Sequence, residues 1–194
     1  MADVHPNARI NLERATVLLL DDTAEGMSIL VQIVSAFGVR VIHRCHSDEL
    51  ARQKASAIAL DLVLASGGLR DSSGYDFTSW LRRSGLRPNA FAPVIIIQGH
   101  TRLSDVQKTR ECGANFIVAK PVSPAVLLER IVWVAREQRP FVSCATYVGP
   151  ERRFHELDPP SGLGDRRRGD NAEPLDEVAL PDVNTSPRVM EQAR

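Results

Sequence analysis

A series of short apolar runs, each ending in small or polar residues, does most to limit what this chain can fold into. Asp61-Leu62-Val63-Leu64-Ala65-Ser66 leads into Gly67-Gly68-Leu69-Arg70-Asp71-Ser72-Ser73 and then Gly74. Val17-Leu18-Leu19-Leu20 leads into Asp21-Asp22, and Phe116-Ile117-Val118-Ala119 leads into Lys120-Pro121. Near-continuous apolar runs of this length are the pattern of strands buried on both faces of a parallel sheet. In open α/β sheets, ligands and chemistry gather at the carboxyl ends of the strands. The residues just past these runs are therefore the first candidates for a site.

The stretches between the runs have a helical period. Thr23 is placed to cap a helix in which Leu30, Ile33, Val34 and Phe37 share a face, and Gly38 ends it. Val39–Arg44 reads as a second strand, and Ser47 opens a second helix that fades near Ile58. Tyr75–Arg83 predicts a helix with Phe77, Trp80 and Leu81 inward, closed by Gly85. Pro93–Ile97 is apolar throughout and predicts a central strand, followed by a helix over about Thr101–Cys112 that Gly113 closes. Ser123 and Pro124 open a last helix to about Glu137, with Leu127, Ile131 and Val134 as its core face. Five strands alternating with five helices predict a doubly wound parallel sheet, flavodoxin-like in its order 2-1-3-4-5. That order gathers the ends of strands 1, 3 and 5 around one crevice.

The 194-residue length suits one such domain with additional segments: an N-terminal arm at 1–15, the domain at 16–138, and a Pro- and Arg-rich tail at 139–194 that reads as largely disordered. Lys plus Arg equals Asp plus Glu at 24 each, so net charge offers no argument for DNA or an anionic membrane. Cys45, Cys112 and Cys144 are an odd, scattered set and read as reduced thiols in a cytoplasmic protein. No apolar run has the length of a membrane helix, so membrane insertion is not expected.

An acidic pair after strand 1, a glycine eight residues beyond Ser66, and Gly113-Ala114 followed by Lys120-Pro121 occur together, in order and at the right spacing. Across Thr16–Gln138 this set resembles the receiver domain of two-component response regulators, the CheY-like fold. The resemblance implies that Asp21 and Asp22 match the acidic pair that helps hold magnesium. It implies that Lys120 matches the lysine that meets the phosphoryl group, aimed by a cis peptide to Pro121. It also implies a signalling protein as partner, a histidine kinase or a downstream target.

The same resemblance exposes departures. The phosphoacceptor aspartate is replaced by Ser66, whose hydroxyl is barely ionised near neutral pH and needs a general base to act as a nucleophile. Gln98 stands where the family has Thr or Ser, and Ile117 stands where an aromatic switch residue is common. Loss of one carboxylate of three weakens any magnesium site, because magnesium relies on charged oxygens. Asp21, Asp22 and Lys120 thus read as a weak or vestigial metal site or as a structural ion-pair cluster. Asp61 and Asp71 are poorly placed to substitute as acceptors. His43 and Cys45 on one strand fall short of the four ligands zinc normally takes.

In the tail, Arg152 and Arg153, then Arg166, Arg167 and Arg168, form two dense clusters near Tyr147 and Phe154. Guanidinium forks pair bidentately with phosphates and with guanine O6/N7, and aromatic faces stack bases. The stretch resembles the arginine-rich tails of CheY-like proteins that bind cyclic di-GMP; a solvated tail or a partner-docking segment is the other reading. Taken together, the sequence predicts a non-enzymatic pseudo-receiver working by protein contact, with a functioning phosphorelay receiver as the alternative.

Overall fold

A computed structural model describes residues 12–99, 103–136 and 139–151. Its core is a five-stranded, wholly parallel sheet in the order β2-β1-β3-β4-β5. The strands are β1 (Thr16–Leu20), β2 (Val41–Cys45), β3 (Leu62–Ser66), β4 (Val94–Gln98) and β5 (Phe116–Ala119). The helices between and after them are α1 (Ala24–Ala36), α2 (Asp48–Ala57), α3 (Gly74–Arg83), α4 (Leu103–Glu111) and α5 (Pro124–Arg136). This is the flavodoxin-like, CheY-like order predicted from the alternation of runs. None of the described helices is long and apolar enough to cross a membrane.

The apolar runs work because successive strand residues point to opposite faces, and both faces are covered. Val17, Leu19, Leu62, Leu64, Ile95 and Ile97 face one side, where Leu30, Ile33 and Val34 of α1 and Leu127 and Ile131 of α5 pack on them. Leu18, Leu20, Val63, Ala65, Val94 and Ile96 face the other, against Ala51 and Ala55 of α2 and Phe77 and Leu81 of α3. Side-chain caps fix where helices begin. Thr23 accepts from the Gly26 N–H, Ser47 from Leu50 and Ser73 from Asp76. Asp61 anchors the start of β3 by accepting the Thr16 N–H at 2.7 Å.

The tail, expected to be largely extended or disordered from 139, begins with regular structure. β6 (Phe141–Ser143) and β7 (Val148–Pro150) form an antiparallel hairpin. It packs against the amino edge of the sheet and the end of α3. Phe141 meets Phe91 edge-to-face at 4.9 Å, and Arg83 donates to the Thr146 carbonyl. Gly113 has φ +83°, and a Cβ there would press on the Val148 carbonyl and the Arg82 side chain, so this glycine is required twice over. Prolines and the lack of a long apolar run misled because strands of three residues need neither. Pro150 sits at the end of its strand, where the missing N–H costs little. Tyr147, expected as a stacking surface, is buried, and its hydroxyl donates to the Pro150 carbonyl at 2.6 Å. Residues 152–194, with both arginine clusters, lie outside the described residues.

Candidate functional site

At the carboxyl edge of the sheet, β1, β3 and β5 deliver their terminal residues to one crevice. Leu20 pairs with Ala65, and Ser66 with Ile97, so Asp21 follows directly on β1 beside the end of β3. Lys120 follows β5, and its peptide bond to Pro121 is cis. Gly74 lets α3 start close to β3, since a Cβ there would overlap the Ser66 carbonyl.

The structure brings Asp21, Ser66 and Lys120 together. Lys120 Nζ donates to Asp21 Oδ2 at 2.9 Å and to Ser66 Oγ at 3.3 Å. Asp21 is fully buried, and its other oxygen accepts the Thr23 hydroxyl at 2.6 Å and the Thr23 N–H at 2.9 Å. Burial alone would raise the Asp21 carboxyl pKa; the Thr23 hydroxyl, Lys120 and the Thr23 N–H outweigh it, and the net shift is downward. Asp22 turns the other way. Its Oδ2 accepts the Arg70 N–H at 2.8 Å, with the Arg70 Nε at 3.7 Å. Gln98, at the end of β4, lays its side-chain carbonyl against Gly67.

Two of these partners were not legible as site residues. Thr23 reads from sequence only as a cap, and its second role, holding Asp21, depends on the turn that folds it back. Arg70 reads from sequence only as part of the loop after β3, yet its main chain takes up Asp22.

The donor set does not suit a hard dication such as magnesium. Both Asp21 oxygens and one Asp22 oxygen are committed to protein donors, and Ser66 contributes a neutral hydroxyl. Among the described residues no three His, Cys, Asp or Glu side chains cluster as a metal site. Asp61 is held at the start of β3 by Thr16, at the other end of the strand from the crevice.

What the geometry offers chemically is a lysine poised over a serine, beside a carboxylate held ionised. The response regulator receiver domain family matches residues 17–132. Among curated proteins, the chain is 33% identical over 135 residues to a protein-glutamate methylesterase/protein-glutamine glutaminase of Myxococcus xanthus, covering 64% of this chain and 37% of that protein. It thus spans little more than a third of that enzyme's length. It is 26% identical over 116 residues to the polar-differentiation response regulator DivK of Brucella ovis, covering 60% of this chain and 92% of DivK. Among solved structures, the chemotaxis protein CheY4 of Vibrio cholerae superposes with a TM-score of 0.57 at 21% identity, over 62% of this chain and 98% of CheY4. Since the family match begins in β1 and ends within α5, taking in the whole five-stranded unit, the chain belongs to the response regulator receiver domain family.

Proposed function

We propose that this receiver is a pseudo-receiver: a non-enzymatic cytoplasmic signalling domain that works by contact with a partner protein and takes no phosphoryl group. The observation that carries the reading is the buried Ser66 hydroxyl, standing at the end of β3 and accepting from Lys120. A serine needs a base to lose its proton. The carboxylate that shares Lys120 with Ser66, Asp21, already accepts from Thr23 and Lys120 and is held below its ordinary pKa, which makes it a poor base. The expected result is no phosphoryl adduct on the intact chain after incubation with acetyl phosphate and magnesium, read by mass spectrometry. An adduct, of either the acyl or the ester kind, would favour the working phosphorelay receiver instead.

The partner belongs to the signalling proteins that receivers meet, a histidine kinase or a downstream target. A second ligand is proposed for the tail. Arg152, Arg153, Arg166, Arg167 and Arg168 supply guanidinium forks suited to the phosphates and guanines of cyclic di-GMP. Because Tyr147 is buried, Phe154 is the aromatic residue left near these clusters. Calorimetry on the full chain is expected to show binding that weakens as salt rises. No heat of binding up to about tens of micromolar, an affinity near −6 to −7 kcal/mol, would leave the tail as a protein-docking segment. Magnesium, if it binds at Asp21 and Asp22, is expected to do so weakly.

A further inference from the structure

A cavity of about 160 Å³ lies between the hairpin, α4 and the entry to β5. Tyr147 and Pro150 line it from the hairpin, Arg110 from α4, and Asn115 and Phe116 from the start of β5. Arg139, in the segment that leads into the hairpin, lines it as well. None of the described lining residues is acidic. Rings hold Arg139 in place: its guanidinium lies 4.5 Å from the Trp133 ring centroid and 6.0 Å from that of Phe116. Its Nε and Nη2 are buried. Asn115 Oδ1 already accepts the Val94 N–H at 2.9 Å and Arg82 Nη2 at 3.2 Å, so the amide has chiefly its NH2 to offer. Phe116, Pro150 and the ring of Tyr147 add apolar surface, the Tyr147 hydroxyl being spent on the Pro150 carbonyl.

We propose that this cavity is a binding site for a small organic carboxylate. Its carboxylate would pair with Arg110 and Arg139, and its short apolar body would lie on Phe116 and Tyr147. Guanidinium groups have donors and no acceptor, and their pull on an anion is stronger in a recess than in open water. Cavities of about 150 Å³ hold a benzene ring, whereas drug-sized sites begin near about 300 Å³, so the occupant is of the size of benzoate. A bare phosphate would leave the apolar wall uncovered, and a neutral ring would forgo the attraction of two guanidinium groups. The cavity stands at the amino edge, at the other end of the sheet from Ser66, and owes nothing to the pseudo-receiver reading. Because the hairpin supplies one wall, an occupant ties the hairpin to α4 and β5.

The test titrates the full-length chain by calorimetry with sodium benzoate, with benzamide as its neutral counterpart and inorganic phosphate as the bare anion, all at matched ionic strength. Benzoate is expected to bind with a dissociation constant of about 1 mM, as suits a ligand this small, and the other two at least about tenfold more weakly. Arg110→Gln and Arg139→Gln are each expected to weaken benzoate about tenfold. Arg110 is exposed, so its variant should keep the natural unfolding midpoint. No benzoate binding at about 10 mM, or the same affinity in both variants, overturns the proposal. Benzamide or phosphate binding as well as benzoate overturns the choice of ligand. Hydrogen exchange checks the place: benzoate is expected to slow exchange of the Glu151 N–H, which donates to the Pro140 carbonyl at 2.9 Å and closes the hairpin. Binding that leaves this exchange unchanged would put benzoate elsewhere and overturn the site.

Discussion

Two cationic side chains reach into opposite ends of this sheet, and they are satisfied in different ways. At the carboxyl edge, Lys120 meets a full opposite charge on Asp21 and a hydroxyl on Ser66, and a third of its side chain remains in water. At the amino edge, Arg82 is 3% exposed, and its acceptors among the described residues are all neutral: the carbonyls of Ala90 and Ala92 at 2.8 Å, of Gly113 at 2.9 Å, and Asn115 Oδ1 at 3.2 Å. The Phe141 ring of the hairpin covers it at 5.2 Å. Burial pushes its pKa down to about 10, with Cys112 and Tyr147 acting the other way, so the guanidinium stays charged near neutrality. The Lys120 ammonium, partly in water, has solvent to fall back on if a partner is lost, and Asp21 keeps its Thr23 donors if the lysine is lost. A guanidinium shared among main-chain carbonyls from two segments has no such reserve.

The contrast breaks most visibly at Arg82. Arg82→Met keeps the length and apolar stem but leaves several buried carbonyls without a donor, each worth about 1–3 kcal/mol. The expected loss is about 3 kcal/mol or more in urea unfolding, with the hairpin affected as well because Phe141 loses its cation. A loss below about 1 kcal/mol would mean that water replaces the guanidinium and that the amino edge is not a keystone.

Lys120→Met probes the other end and is expected to cost less, about 1–2 kcal/mol, because Asp21 keeps both of its Thr23 donors and the lysine is partly solvated. A cost equal to that of Arg82→Met would erase the distinction between the two ends.

The sequence carried the fold well, since apolar runs and helical periods are local patterns that tertiary packing rarely overrides when they agree. It also placed Asp21, Ser66 and Lys120 in one crevice, because strand order alone brings those ends together. Arg82 was hidden because an arginine in the last turn of α3, within Leu81-Arg82-Arg83-Ser84, looks like any solvent-facing helical residue. Its burial depends on a hairpin that comes 60 residues later in the chain and that no local pattern announces. The fit of Gln98 to Gly67 was hidden for the same reason: it is a contact between two strand ends, and neither residue signals the other.

The smallest expected effect belongs to acid. Asp21 has its folded pKa below the ordinary 3.8, the Thr23 and Lys120 bonds outweighing burial. A carboxyl that is more acidic folded than unfolded binds its proton preferentially in the unfolded chain. Its contribution is therefore complete above 3.8 and is lost as pH falls through that value towards the folded pKa. Asp21→Asn removes the titration while keeping the shape. At neutral pH the variant should be less stable, because Lys120 loses its charged partner. As pH drops below 3.8, the urea midpoints of the natural chain and the variant should converge, since only the natural chain is giving up the Asp21 contribution. Other carboxylates titrate in both proteins and cancel in the difference. Midpoints that stay parallel through this window would mean that Asp21 is held no more acidic folded than unfolded. The crevice at the carboxyl edge would then lack the charge pairing that sets it apart from the amino edge.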